Sequence, residues 1–225
     1  SAAGLRSIPV RALMLDEVDA YPSNLDGEGD PVKLAEKRTA TFPRKKIYIP
    51  STPLIKGKSA IEEAFLKTDQ QYYHVPCPHC GSYQQLIFEQ FRWETGKPDT
   101  VYYECSDCGD PIVEQIHKTE MLEMGNWVAH APENASPKKS GFHLSALYSP
   151  VGWYSWENAI MDWEEAQGHP EKLQSFFNTV LGLTYEIEGD SPDWERLMER
   201  SMDYPPNVPP PDVAFLSAGV DVQKD

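Results

Sequence analysis

Short apolar runs alternate with polar stretches through the first 53 residues. Ala12–Leu15 reads as a buried strand, and Lys46–Ile49 as a second strand closed by Pro50. Between them lie a Gly/Asp/Pro-rich stretch, Pro22–Pro31, and a helix near Lys33–Thr39. Strand, crossover and strand in that order predict a parallel α/β sheet. Ser59-Ala60-Ile61-Glu62 has the form of a capping box, opening a helix with Ile61, Ala64 and Phe65 on one face. From 72 to 116 the pattern changes to short strands, turns and cysteines, which predicts a small β-rich insertion. Lys118–Met124 reads as a helix stopped by Gly125 and followed by a polar loop, Ala131–Ser140. Ser155 is placed to cap a helix over Trp156–Gln167, with Ala159, Ile160 and Trp163 on one side. Pro170 suits the first turn of the next helix, whose Leu173, Phe176, Phe177, Val180 and Leu181 form a wide apolar face ended by Gly182. A third helix is expected over Asp193–Met198. Tyr204–Asp212, with Pro205, Pro206, Pro209, Pro210 and Pro211, reads as a semi-rigid linker, and Val213–Val222 as a strand of a new unit. No internal repeat is visible.

Composition narrows this picture without changing it. The chain has 225 residues, 40% hydrophobic and 24% charged, with 6 Trp, 11 Tyr and 8 Phe to fill a core. No apolar run approaches the ~20 residues of a membrane span. Ser1–Arg6 lacks the apolar stretch of a signal peptide. The absence of an initiator Met and the end at Asp225 suggest a fragment. A net charge of −15 argues against a simple nucleic-acid-binding domain, although a local basic groove can sit on an acidic body. The one dense basic run, Arg44-Lys45-Lys46 with Lys37 and Arg38 nearby, reads most simply as a solvated face or strand edge.

Chemistry enters first at the end of the first strand. Leu13-Met14-Leu15-Asp16-Glu17-Val18-Asp19 delivers two adjacent carboxylates to a strand tip. There Asp16 can hold Mg²⁺ and Glu17 can polarise a water, as in nucleotide hydrolysis. The second strand leads into Ser51-Thr52-Pro53, a polar pair that could sense a γ-phosphate and pass hydrolysis on to motion. Gly57-Lys58-Ser59 imitates a phosphate-binding loop, but the required earlier glycine is replaced by Thr52, and Pro53 has no N–H to offer phosphate. A glycine turn before a capped helix is the better reading.

Cys77-Pro78-His79-Cys80-Gly81 and Cys105-Ser106-Asp107-Cys108-Gly109 form two C-x₂-C knuckles. Their spacing predicts a closed four-thiolate structural site for Zn²⁺, or iron in its place, at Cys77, Cys80, Cys105 and Cys108, with His79 a bystander; two redox or free cysteine pairs are the competing reading. Such cysteine usage fits a reducing compartment. Asp221, near the end of an apolar strand, has the placing of a first carboxylate in a two-metal nuclease, a site that needs several.

The order of these parts resembles the large terminase subunit of lambda-like tailed bacteriophages. The strings Leu15-Asp16-Glu17-Val18-Asp19-Ala20-Tyr21-Pro22, Val75-Pro76-Cys77-Pro78-His79-Cys80-Gly81, Gly141-Phe142-His143-Leu144 and Asn178-Thr179-Val180-Leu181-Gly182 carry the likeness across the chain. The resemblance implies an α/β fold: the C-terminal part of a P-loop-type ATPase sheet, a four-Cys zinc-ribbon insertion, a helical segment and the first strand of an RNase H-like nuclease. It divides the chain into 1–71 (ATPase), 72–116 (ribbon), 117–203 (helical connector), 204–212 (linker) and 213–225 (start of the nuclease).

By the same resemblance, Asp16 would bind Mg²⁺ with ATP, Glu17 would activate water, and Ser51 and Thr52 would couple hydrolysis to movement. Asp221 would bind a divalent metal of the nuclease. The implied partners are double-stranded viral DNA, a small terminase subunit, the portal protein of the procapsid and further copies of the chain, in the cytoplasm of a bacterial host. The phosphate-loop lysine, an arginine finger and the other nuclease carboxylates have no counterpart in these residues, so the chain by itself is expected neither to hydrolyse ATP nor to cut DNA. A non-catalytic zinc-ribbon module binding DNA or a protein partner is the alternative reading.

Overall fold

The computed structural model describes residues 8–186. The expected helix Asp193–Met198, the proline linker and the strand Val213–Val222 with Asp221 lie outside the described residues. The chain divides into two units, Ser1–Ile187 and Glu188–Asp225, and all described residues belong to the first.

Strands β1 (Ala12–Met14) and β2 (Lys46–Tyr48) pair in parallel, with Leu13 opposite Ile47. The expected crossover is present as helix α1 (Pro31–Glu36), which tightens into a 3₁₀ turn over Lys37–Thr39. Asp30 caps α1 by accepting from the Val32 N–H at 2.8 Å, and Pro31 occupies the first turn, where a missing N–H costs nothing. Alternation turns Leu13 and Ile47 inward, while Met14 and Tyr48 stay exposed on the outer face. Leu15, Val18 and Ala35 form a small core, against which Val32, Ile49 and Ile61 pack.

The cysteine-containing region is built on strand β3 (Gln71–Pro76). It pairs antiparallel with β4 (Tyr83–Gln85). Strands β5 (Phe91–Glu94), β6 (Lys97–Glu104) and β7 (Pro111–Ile112) form a separate antiparallel sheet. Two further short strands join β3 from later in the chain: β8 (Asn126–Ala129), antiparallel, and β9 (Phe142–His143), parallel. The sequence pattern does not mark these six residues as strands, because such short strands take their identity from the neighbour they pair with.

Helix α2 (Ala60–Leu66) has half of the expected capping box. Ser59 Oγ accepts from the Glu62 N–H at 3.1 Å, but the Glu62 carboxylate turns away to accept from Thr184 Oγ1 at 2.7 Å. Helix α3 (Glu114–Glu123) begins one turn earlier than its pattern predicts. Gly125 follows it without a left-handed conformation. Its hydrogen is needed instead because a Cβ would lie 2.3 Å from the Tyr73 ring, whose hydroxyl donates to Leu122 O at 2.7 Å. Helix α4 (Trp156–Ala166) carries a complete capping box between Ser155 and Asn158. Helix α5 (Pro170–Ser175) runs on as a π-helix over Phe176–Leu181 and ends at Gly182, φ 67°. Among the described residues, no helix is long and apolar enough to cross a membrane.

The ribbon strands and the helices after them share one core. Val75, Leu86, Phe91, Tyr103 and Ile112 pack with Trp156, Ile160, Phe176, Val180 and Leu181. Trp156 sits at its centre, with Phe91 5.1 Å away in an edge contact. Inside this core is an ion pair, Lys118 Nζ to Glu114 Oε1 at 2.7 Å, with the side chains 1% and 3% exposed. The other Glu114 oxygen accepts from the Trp156 N–H at 2.9 Å, so a carboxylate meets the positive end of α4. Burial pushes the Lys118 pKa down, and Glu114 opposes that shift. Lys118→Met should therefore cost about 3–5 kcal/mol, because it strands a buried carboxylate. Adding Glu114→Gln should recover most of the loss, as read from the denaturant midpoints of the two variants.

Candidate nucleotide-hydrolysis edge and metal centre

Asp16 and Glu17 lie just past the end of β1, and Ser51 and Thr52 just past the neighbouring end of β2. The parallel pairing brings them together: Leu15 N donates to Tyr48 O and Glu17 N to Pro50 O, each at 3.0 Å. Glu17 is held in the left-handed region, φ 52° and ψ 52°, an unusual conformation for a side chain of this kind. Its carboxylate accepts from Thr52 N on one oxygen and Thr52 Oγ1 on the other, both at 3.2 Å. Each carboxylate oxygen has two lone pairs. Thr52 therefore orients Glu17 and leaves it capacity to accept from a water. Asp16 is exposed and makes no hydrogen bond or ion pair with a described residue, which leaves its oxygens available to a cation.

Asp19 is the residue that sequence reasoning passed over. It accepts from Leu54 N at 3.0 Å and from Ile61 N at 2.8 Å, and its own N–H donates to Ser51 Oγ at 3.3 Å. One carboxylate thus binds the loop after Thr52 to the first turn of α2. Its place in an acidic string was visible, but its partners lie 35 and 42 residues away and were not. Gly57-Lys58-Ser59 is a turn before a capped helix, with Gly57 at φ 75° and Lys58 N donating to Ile55 O, as expected of the imitation phosphate loop.

The four cysteines converge, with all their sulfurs within 4.8 Å of one another. Each knuckle closes the same way. Gly81 N donates to Cys77 O at 2.9 Å and Gly109 N to Cys105 O at 3.0 Å, with both glycines at positive φ. The Cys77–Cys108 and Cys80–Cys105 sulfurs are 3.9 Å and 3.8 Å apart. A tetrahedron of thiolates around an ion at about 2.3 Å has edges of about 3.8 Å, so the donor set and its spacing fit a metal. Burial pushes the Cys105 thiol up, but N–H groups of Cys108 and Asp107 and the Gln84 amide outweigh it and hold the pKa down at about 6. Gln84 joins the knuckles: its amide N donates to Cys105 Sγ at 3.3 Å and its oxygen accepts from Ser106 N at 3.0 Å. No spacing rule singles out that glutamine. His79 does not join the cluster; its ring nitrogen faces Pro111 O at 3.1 Å.

A parallel strand pair ending in an acidic tip, a polar tip beside it and a four-cysteine centre define a mixed α/β chain with an ATPase-type edge. A family model described as phage terminase large subunit gpA, ATPase domain, matches residues 1–127, more than half of the chain, and the chain belongs to the phage terminase large-subunit family. A second model, terminase large subunit gpA, endonuclease domain, matches residues 139–225. The chain is similar to the terminase large subunit of Enterobacteria phage P21, with 31% identity over 250 residues, and to that of Escherichia phage lambda, with 32% over 247 residues. Each alignment covers 100% of this chain and 38% of the relative, so the chain spans about two fifths of their length. No solved structure matches it.

Proposed function

We propose that the chain is part of an ATP-driven DNA-packaging motor and endonuclease that cuts concatemeric viral DNA and moves it into a procapsid. The observation that carries this reading is the meeting of Asp16, Glu17 and Thr52 at one end of β1–β2. Asp16 holds Mg²⁺, which when bound offsets charge on the ATP phosphates. Glu17, aimed by Thr52, accepts a proton from the attacking water. Ser51 and Thr52 report the state of the γ-phosphate to the loop that follows them. Asp221 is a first ligand for the divalent metal of an RNase H-like nuclease. The four-cysteine centre holds a structural Zn²⁺, since four thiolates leave no open position for chemistry. The domain division is 1–71, 72–116, 117–203, 204–212 and 213–225, as the sequence order suggests. The partners are duplex viral DNA, a small terminase subunit, the portal and further copies of the chain, in the host cytoplasm of a phage or prophage.

The test is ATP turnover and DNA cleavage by the complete protein. DNA-stimulated hydrolysis together with metal-dependent cutting is the expected result. A complete protein that binds zinc and DNA yet neither hydrolyses ATP nor cuts would favour a non-catalytic zinc-ribbon module.

A further inference from the structure

Two of the strings that carry the family likeness, Gly141–Leu144 and Asn178–Gly182, have no part in the reading above. The structure brings Asn178 to the loop that leaves Thr52, and His143 to the end of the helical turn that carries Asn178. Asn178 is 4% exposed and lies in the π-helical turn, a geometry that is rare and recurs at functional positions. With its amide nitrogen toward the surrounding acceptors, Asn178 donates to Pro53 O at 3.3 Å, Leu54 O at 3.0 Å and Leu183 O at 3.0 Å. Leu54 O already accepts from Tyr185 N, so the two amide hydrogens of Asn178 chiefly serve Pro53 O and Leu183 O, with Leu54 O sharing one of them.

Backbone pairing then doubles the link. Tyr185 N donates to Leu54 O at 2.9 Å and Lys56 N to Tyr185 O at 3.1 Å, a parallel bridge between Ile55 and Tyr185. Lys56 and Glu186 pair at 2.8 Å across its exposed side. His143, on β9, completes the junction from the other direction. Its Nε2–H donates to Leu181 O and Gly182 O, each at 3.1 Å, and fixes the end of the π-helix.

We propose that Asn178 and the Ile55–Tyr185 bridge form a clasp that ties the Ser51–Thr52 loop to the segment 183–186, making Asn178 a positioning residue that passes rearrangement at Glu17–Thr52 into the chain leading toward residue 188. The proposal rests on the packaging reading. Its two states are the presence and loss of the Thr52 hydrogen bonds to Glu17. Thr52 is followed directly by Pro53 and Leu54, whose carbonyls Asn178 holds, so Thr52 cannot shift without pulling on the clasp. Coupling of this kind needs a discrete element that both ends bias, and the proposal gives that part to the clasp.

The experiment measures the length of DNA packaged per ATP hydrolysed by the complete protein. Asn178→Ala should lower that ratio by about 5–150-fold, the usual range of a coupling between sites, while ATP turnover changes by less than about twofold. Lys56→Glu places like charges across the exposed bridge without touching the core, and should lower the ratio in the same direction. Lys56→Glu with Glu186→Lys should restore it. If Asn178→Ala does not fold, the exposed pair decides. A ratio unchanged in the variants, a fall in turnover and packaging in equal proportion, or a loss that the charge swap leaves unrepaired would overturn the clasp. A wild-type protein with no ATP turnover at all would overturn the packaging reading with it.

Discussion

Glu17→Gln in the complete protein will lower ATP turnover by about 10²–10⁴-fold and leave ATP binding intact, the usual contribution of a positioned general base. Gln has nearly the same shape and keeps an oxygen to accept from Thr52, so the loop geometry should survive. What it loses is the ability to take a proton. It also places an N–H₂ group where one of the two Thr52 donors now meets a carboxylate oxygen. The backbone at Glu17 is held in its left-handed conformation by the bonds to Pro50 and Ala20, not by the side chain, and will not relax on substitution. Single-turnover hydrolysis measured beside equilibrium ATP binding separates the two effects. Wild-type turnover in this variant would remove Glu17 from the chemistry.

Replacing Cys105 with Ser, or stripping any metal held by the four cysteines, is expected to unfold more than the ribbon. Structural zinc contributes about 10–16 kcal/mol of apparent binding free energy in small zinc-bound domains at neutral pH. A typical domain is stable by only about 5–15 kcal/mol, so a loss of that size is comparable with the whole stability of the fold. Because Cys77 and Cys105 sit in the same core as Trp156 and Phe176, the helices should be lost with the knuckles. Metal analysis should find one zinc per chain. A chelator should shift the fluorescence of Trp156 and expose all four thiols together. A metal-free chain with freely reactive thiols and an unchanged unfolding curve would refute the assignment.

The parts of the fold that were legible in the sequence are those fixed by neighbours along the chain. The caps Ser59 and Ser155 and the glycines of the two knuckles state local geometry directly, whereas the apolar run Ala12–Leu15 predicts a buried strand and the structure exposes Ala12 and Met14. The cysteine cluster was readable because a metal requires its ligands at set spacings. What stayed hidden depends on distant partners. Glu114 and Lys118, four apart on a helix, look like an ordinary surface pair until Trp156 covers them. Helix α3 starts at Glu114 after Val113, which offers no capping side chain and so gave no signal. Strands β8 and β9 exist because β3 has edges to fill, and Asn178 is an unremarkable helical residue until its three carbonyls arrive.

The shared core also sets an order of events during synthesis. Val75 packs with Leu181, and at about 5–20 residues per second the strand must wait roughly 5–20 s for that partner to be made. The four cysteines wait only about 2–6 s, since Cys77 and Cys108 are 31 residues apart. A metal captured early would pin β3 to β7 while the chain grows, presenting Phe91 and Tyr103 as a ready surface for α4. An ion bound there would act as a nascent-chain clamp, and its absence would be felt first as aggregation on the ribosome rather than as a weaker finished protein.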